Sequence, residues 1–108
     1  MIAPVRPVAK AKFPDLTMQE YLLMKTENQQ CYDFWIRTHL KYGAEILNVC
    51  STSLEVRATV SKWREWTSLP LNASGRHHVP EGLVLMNLDL DRNLGIYLEP
   101  NIWMQYSL

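Results

Sequence analysis

The chain has little glycine and little cysteine, and it lacks any long apolar run. Its 108 residues include only four glycines and two cysteines. No segment reaches the roughly eighteen consecutive apolar residues that identify a membrane-spanning helix. The opening MIAPVRPVAKAK also lacks the apolar core of a secretory signal. We therefore expect a cytoplasmic protein that has no membrane partner.

Blocks of one charge are absent as well. Eleven lysines and arginines balance eleven aspartates and glutamates, so the formal net charge is zero. Proteins that bind nucleic acids usually carry a basic patch or stripe. We expect no nucleic-acid partner.

The few cysteines and glycines limit the chemistry further. Cys31 and Cys50 could form one disulfide, but a reducing cytosol favours two free thiols. No Gly-x-Ser-x-Gly motif and no glycine-rich phosphate loop occurs. Such loops place several backbone N–H groups on a pyrophosphate. The sequence therefore predicts no cofactor-binding residues and no bound cofactor.

Prolines divide the chain into an arm and a domain. Pro4, Pro7 and Pro14 lie in a short polar stretch, where proline disfavours both helix and central strand. We predict that residues 1–16 form a proline-bearing arm or linker remnant. Residues 17–108 then form a single domain.

Capping residues predict the helices. Thr17 and Glu20 make a capping box that begins a helix over residues 18–26. Asp33 is a plausible N-cap for a second helix, and Gly43 is its natural end because glycine readily takes positive φ. A third helix, VSKWREWTS, follows a cap at Thr59.

Alternating apolar residues predict the strands. The last two strands are joined by the turn DRNL into a hairpin, and the final strand has a bulge or kink at Pro100. Residues 71–81 read as a loop. The fold class is therefore α+β, with a mainly antiparallel sheet of about four to five strands and two to three helices. The predicted strands are 45–49, 54–59, 83–90 and 95–106.

Three patterns could indicate binding sites, but each has a simpler interpretation. DLDRNLG resembles a calcium loop, yet its glycine falls late and Pro100 stands where the closing glutamate belongs, so a hairpin turn is favoured. His77 and His78 are adjacent and point to opposite sides of an extended chain. We predict no metal site. We expect the tryptophans to build the core of so small a domain rather than a stacking platform: Trp35, Trp63, Trp66 and Trp103.

His39 is the one ionisable ring on an apolar helix face. It lies in FWIRTHLKYGAEI, between aromatic and aliphatic neighbours. Such a histidine can be a hydrogen-bonded core group or a general acid or base. The sequence leaves both possibilities open.

Several segments together resemble a known family. HLKYGAEILNVC is similar to the helix-to-strand junction in the C-terminal half of GNAT acyltransferases, and the resemblance covers about residues 18–106. It extends through ATVSKWREWTSLPLNASG, VPEGLVLMNLDLD and GIYLEPNIWMQY. In many members a tyrosine four positions before the glycine is the general acid. His39 occupies that position here, so it is the candidate catalytic residue.

The resemblance implies half of a GNAT fold, because the acetyl-CoA motif belongs to a half that should precede residue 18. An orphaned half exposes a sheet edge. We therefore expect a protein partner or a homodimer, with aromatic residues at the centre of the interface. Two functions are open: a non-catalytic binding or scaffold module, or an acyltransferase half-domain that uses acetyl-CoA or another acyl-CoA when a partner supplies the cofactor site.

Overall fold

The fold is built around its last strand. The computed structural model describes residues 1–106, and residues 107 and 108, which end the predicted domain, lie outside the described residues. The described chain contains five strands and three α-helices. The strands are β1 (Ile2–Val5), β2 (Ala44–Ala58), β3 (Gly75–His77), β4 (Met86–Asp89) and β5 (Leu94–Tyr106), and the helices are α1 (Met18–Leu22), α2 (Phe34–Lys41) and α3 (Val60–Thr67).

All pairings in the sheet are antiparallel. Strand β5 pairs with β2 on one side and with β1 and β4 on the other, and β3 extends the sheet beyond β4. The predicted α+β class with a mainly antiparallel sheet is confirmed.

The predicted caps are confirmed too. The Thr17 side chain accepts a hydrogen bond from the Glu20 backbone N–H, and the Glu20 side chain accepts one from the Thr17 backbone N–H. Asp33 Oδ1 accepts from two N–H groups of α2, and the Thr59 side chain accepts from the Lys62 N–H. Gly43 has a φ of +93° where α2 turns into β2, as the sequence predicts.

Helix α1 is shorter than the predicted 18–26. It ends at Leu22 because the following residues form a tight turn, in which Lys25 pairs with Cys31. The Thr26 hydroxyl accepts from the Gln30 N–H, and the Gln29 φ is +61°. This local turn competes with the helix for the same backbone groups.

Strand β2 is one continuous element, so the prediction of two strands, 45–49 and 54–59, was wrong. Its pairing with β5 shifts between Ile46 and Asn48 and again between Cys50 and Leu54. The second shift lies opposite Pro100, which cannot donate a backbone hydrogen bond. The bulge expected at Pro100 is therefore present, but it is carried by the partner strand.

The predicted loop 71–81 contains strand β3, which pairs with β4. Strand β4 is shorter than the predicted 83–90. The turn before β5 is confirmed as a hairpin turn, with a hydrogen bond from the Asn93 N–H to the Leu90 carbonyl.

The arm belongs to the folded structure. Strand β1 pairs with Ile102–Gln105 of β5, and a 3₁₀ turn follows over Val8–Lys12. Lys10 in this turn is fully buried. The proline-bearing arm therefore pairs with the sheet over four residues, and its division from the domain is not tested by this pairing. The boundary after residue 16 stays a prediction.

Two apolar clusters lie on opposite faces of β5, because successive side chains of a strand alternate. The first cluster packs α1, α2 and the arm against the carboxyl end of β5, and its buried members include Met18, Ile36, Ile102 and Met104. The second cluster packs α3 against the amino end of β5, and its buried members include Val60, Trp63, Met86 and Tyr97.

The sheet has a gap and an open edge. Strands β1 and β4 pair with residues 102–105 and 94–96 of β5 on the same side, so 97–101 have no strand neighbour there. In the described chain no strand pairs with the outer side of β2. Its side chains Ile46, Leu47 and Leu54 are exposed. Among the described residues, no helix has the length and apolar character needed to cross a membrane.

Candidate functional site

A cleft of about 390 Å³ opens between α3 and the gap in the sheet. We call it the tryptophan cleft. Helix α3, β2, β5, the residue after β1 and the segment before β4 all contribute to its wall. The residues that define its chemistry are Arg6, Trp63, Trp66, Glu81, Tyr97 and Glu99.

An ionic network forms the polar wall of this cleft. Arg6 donates to both oxygens of Glu99, from Nε to Oε2 and from Nη2 to Oε1, each at 3.0 Å. The Tyr97 hydroxyl donates to Glu99 Oε1 at 2.8 Å and accepts from the Leu83 N–H at 3.0 Å. Arg6 Nη2 also donates to the Glu81 carbonyl. The network therefore bridges the gap between β1 and β4.

Hydrogen bonding and burial shift the pKa values of Arg6 and Tyr97. Glu99 is only 4% exposed, and its hydrogen bond raises the pKa of Arg6 above its usual value. Burial, with the hydrogen bond to Glu99, raises the pKa of Tyr97 to about 12. At neutral pH Arg6 is therefore charged, and Tyr97 is a phenol that donates to the carboxylate.

Two tryptophans form the aromatic wall. Their spacing of three residues places both on one side of α3. Trp63 is buried and donates from Nε1 to the Gly95 carbonyl at 3.0 Å. Trp66 packs edge-on against Trp63, with ring centroids 5.4 Å apart, and is 55% exposed. The prediction that all four tryptophans are core residues was right for Trp63 and wrong for Trp66 and Trp35, which is also exposed.

The candidate catalytic residue, His39, lies outside this cleft. Its Nδ1 is hydrogen-bonded to the Tyr106 hydroxyl, and its ring packs edge-on against Trp35, with centroids 4.9 Å apart. The ring is half-buried at the surface of α2, so it is not a core histidine. Its catalytic role stays a prediction.

A second buried carboxylate serves the first cluster. Asp33 is 1% exposed, and its Oδ2 accepts from the Tyr21 hydroxyl at 2.5 Å while Oδ1 caps α2. Burial raises the pKa of Tyr21, so the phenol stays protonated. Neither residue lines a cavity described here. This pair therefore supports α1 and α2.

Lys10 is the second buried charge on that side. Its Nζ donates to the carbonyls of Phe13 and Leu83 at 2.7 and 2.6 Å. Burial lowers its pKa. The lysine ties the arm to the segment before β4 and satisfies two carbonyls there.

A larger cavity of about 460 Å³ lies between α1 and β4. Its polar wall includes Arg76 and Asn87, both exposed, and it holds no pair of ionised side chains in contact. The tryptophan cleft has less volume but contains a buried carboxylate, so it is the stronger candidate.

Metal ligation finds no support in the described residues. No group of three or more histidine, cysteine, aspartate or glutamate side chains there could hold a metal ion. His77 Nε2 is hydrogen-bonded to the Ala73 carbonyl. In the DLDRNLG turn, Asp89 accepts from the Arg92 N–H and Asn93 accepts from the Val60 N–H. These oxygens serve the turn and the start of α3.

The N-termini of α2 and α3 are also poor sites for a coenzyme pyrophosphate. Such a group binds free N–H groups at a helix N-terminus. Asp33 already accepts the Trp35 and Ile36 N–H groups of α2. At α3, Asn93 and Thr59 accept from the first turn in the same way. The chain's own side chains therefore take the place that a pyrophosphate would need.

Sequence reasoning missed Arg6, Tyr97 and Glu99 as site residues. One signal was available, because Tyr97 and Glu99 are two positions apart in GIYLE and so share one face of a strand. Tyr97 and Glu99 are also the polar members of an otherwise apolar segment. Arg6 gave no signal, since its partner lies 93 positions away.

Comparison with known proteins gives one match. The chain is 28% identical to arginine N-acetyltransferase avaD of Aspergillus versicolor over 126 aligned positions, which span all of this chain and 43% of that protein. This similarity indicates an acyltransferase-related origin. It is consistent with a partial GNAT-like domain, as is the antiparallel sheet. No family model and no solved structure matches the chain.

Proposed function

We propose that the chain is the acceptor-binding part of an N-acyltransferase and that the tryptophan cleft receives the acceptor. The observation that carries this proposal is the buried Glu99 carboxylate in a cleft that also presents Trp66. The relative that the chain resembles acts, by its name, on arginine. An arginine-like acceptor supplies a cation for the carboxylate and a planar group for the indole ring.

The residues of the cleft suit this role individually. Glu99 anchors the cationic group of the acceptor, and Tyr97 holds one oxygen of Glu99 in place by donating to it. Trp66 covers the aliphatic and planar parts of the acceptor. With Arg6, Glu99 and the exposed Glu81, the wall carries one more negative charge than positive, which favours a cation.

We do not assign the binding of the acyl donor to any of these residues. Because the N-termini of α2 and α3 are capped from within the chain, we infer that another part of the enzyme or a partner holds the acyl-CoA. The narrower expectation, that the chain corresponds to the C-terminal half of a GNAT protein, stays a prediction. His39 stays the candidate for proton transfer in the assembled enzyme.

Calorimetric titration tests this function. We expect the chain to bind L-arginine amide saturably and to bind L-citrulline amide, its neutral counterpart, at least about tenfold more weakly, since the charged hydrogen bonds are lost. Acetyl-CoA should not bind up to millimolar concentration. Failure to bind L-arginine amide, or micromolar binding of acetyl-CoA, contradicts the proposal.

A second function is favoured by the open edge of β2. The outer edge of this long strand has no partner in the described chain and carries exposed Leu47 and Leu54, so it is a template for pairing with another chain. We propose that this edge mediates self-association, either as a scaffold or to assemble the enzyme. The expected interface buries on the order of 1,000 Å² or more.

Sedimentation under reducing conditions tests self-association. We expect a species larger than the 12.6 kDa monomer at micromolar concentration. Leu47→Lys in β2 should shift it towards the monomer, whereas Leu23→Lys, at a more exposed position outside β2, should not. A wild-type monomer contradicts this second function.

A further inference from the structure

Arg6 is a guanidinium already bound in the tryptophan cleft. It contacts both oxygens of Glu99 in the paired geometry that a free guanidinium ligand would use. We propose that Glu99 is a guanidinium-binding site that Arg6 occupies when no ligand is present, and that a ligand guanidinium displaces Arg6. The proposal rests on the proposed function for the identity of the acceptor and adds a regulatory contact to the same site.

The two partners differ in how easily they can leave. The Arg6 side chain is 41% exposed and the Glu99 side chain 6%. In the described chain, the remaining hydrogen bond of the Arg6 side chain goes to the Glu81 carbonyl, on an exposed residue. Arg6 can therefore turn into water, where its charge is solvated, while Glu99 stays in the cleft and needs a new cation.

The position of Arg6 in the chain also suits an exchangeable group. It directly follows β1, a strand of four residues at the margin of the sheet. Tyr97, which lies beside the gap on β5 itself, donates to Glu99 Oε1 and accepts from the Leu83 N–H of the segment before β4. Tyr97 therefore holds the carboxylate by a buried hydrogen bond, and Arg6 is the more exposed member of the ion pair.

The geometry selects a guanidinium over an ammonium. One guanidinium edge supplies two parallel N–H groups that match the two carboxylate oxygens, whereas an ammonium is a point charge. Trp66 lines the same cleft with an exposed indole, on which a planar cation can stack. A ligand that bears a guanidinium can therefore replace the two hydrogen bonds that Arg6 gives to Glu99.

Removal of Arg6 tests the displacement. Methylguanidinium is titrated into the wild-type chain, Arg6→Ala and Arg6→Ala/Glu99→Gln, with tryptophan fluorescence and the melting temperature as readouts. We expect Arg6→Ala to bind methylguanidinium at least about tenfold more tightly than wild type, since the competing occupant is gone. Its lowered melting temperature should rise with ligand. The double variant should lose both effects.

Methylammonium is the matched control ligand, and it should produce neither effect. Arg6→Ala could be unfolded without ligand, and in that case refolding by methylguanidinium, measured by circular dichroism, supports the proposal. If methylguanidinium does not refold it, Arg6→Lys is titrated instead. That variant keeps a cation without the paired N–H groups and should bind methylguanidinium more tightly than wild type.

Several results overturn the displacement. They are equal dissociation constants for wild type and the Arg6 variants, binding that survives Glu99→Gln, and an equal response to methylammonium. Because these titrations contain no acyl donor, a failure of acyl transfer leaves them unaffected. Conversely, wild type that binds L-arginine amide as tightly as Arg6→Ala refutes the displacement and with it Glu99 as the anchor, whereas the saturable binding itself still supports acceptor binding by the chain.

Discussion

The first and second apolar clusters each border a buried carboxylate, but they use it differently. Both carboxylate oxygens of Asp33, beside the first cluster, accept hydrogen bonds from within the fold. Oδ1 accepts from N–H groups at the start of α2, and Oδ2 accepts from the buried Tyr21 hydroxyl. Glu99 beside the second cluster binds a half-exposed Arg6 and lines a cleft. The difference teaches that burial of a charge does not by itself identify a site. A buried charge indicates a candidate site when its hydrogen-bonding partner is exposed, as Arg6 is and Tyr21 is not.

Replacement of Asp33 should have the largest effect on stability. Asp33→Ala removes the cap of α2 and leaves the buried Tyr21 hydroxyl without its partner. We expect the free energy of unfolding to fall by about 3 kcal/mol, from about 1 kcal/mol for the cap and about 2 kcal/mol for the hydrogen bond to a charged group. Urea unfolding measures it.

Asp33→Asn is the control, because asparagine is an equally good N-cap. Asp33→Asn should lower the free energy of unfolding by roughly half as much as Asp33→Ala, since the charge at the Tyr21 hydroxyl is lost while the cap remains. If Asp33→Ala costs less than about 1 kcal/mol, the first cluster does not depend on this carboxylate.

Crowding beside Trp63 should disrupt the second cluster. A Cβ at Gly95 would lie 2.4 Å from Trp63 Cδ1 and Nε1, closer than any unstrained contact. We expect Gly95→Ala to lower the free energy of unfolding by about 2 kcal/mol through overpacking. When Trp63 is replaced by phenylalanine, Gly95→Ala should lower the free energy of unfolding by less. An equal decrease with Trp63 and with phenylalanine would show that the contact with Trp63 is not the cause.

Gly43 joins α2 in the first region to β2, which runs beside both clusters. Its φ is +93°, and no atom beyond its two chain neighbours lies within 4 Å of the position that a Cβ would take, so a side chain there introduces backbone strain without a packing clash. Gly43→Val should destabilise the chain by more than about 1 kcal/mol in thermal melts. Gly43→Asn should be milder, because asparagine tolerates positive φ. Equal melts for Gly43→Val and wild type would contradict a strained junction.

Alkaline pH should weaken the second region through Tyr97. Burial and Glu99 raise its pKa from 10.0 to about 12, so the folded state holds this proton more tightly than the unfolded state. The resulting stability is complete below pH 10 and is lost as the pH rises through about 12. The advantage of wild type over Tyr97→Phe in free energy of unfolding should shrink across this range. An advantage that stays constant would contradict the raised pKa.

Trp66 should matter least for stability. Its ring is largely exposed, so Trp66→Ala should change the free energy of unfolding by no more than about 0.5 kcal/mol. The same variant should bind L-arginine amide at least about fivefold more weakly, because the stacking surface is lost. A large loss of stability with unchanged binding would assign Trp66 to the core and not to the cleft.

The sequence predicted those features that depend on neighbouring residues. The caps at Thr17, Asp33 and Thr59 and the positive φ of Gly43 follow from side chains that act on backbone groups within a few positions. The α+β class follows from the periods of the apolar residues. Helix α1 was predicted too long because the turn after it also forms local hydrogen bonds, which the capping box alone does not reveal.

The amino-acid sequence by itself determined the caps, the junction at Gly43, the final hairpin and the α+β class, because each rests on contacts between residues close in the chain. Only the tertiary structure decided that β2 continues past its bulges, that β1 and β4 leave a gap beside β5, and that Arg6 meets Glu99 there. Those features need partners far apart in the chain, such as the 93 positions between Arg6 and Glu99. No local pattern encodes such a pairing, since its stability appears only when the sheet has brought both residues together.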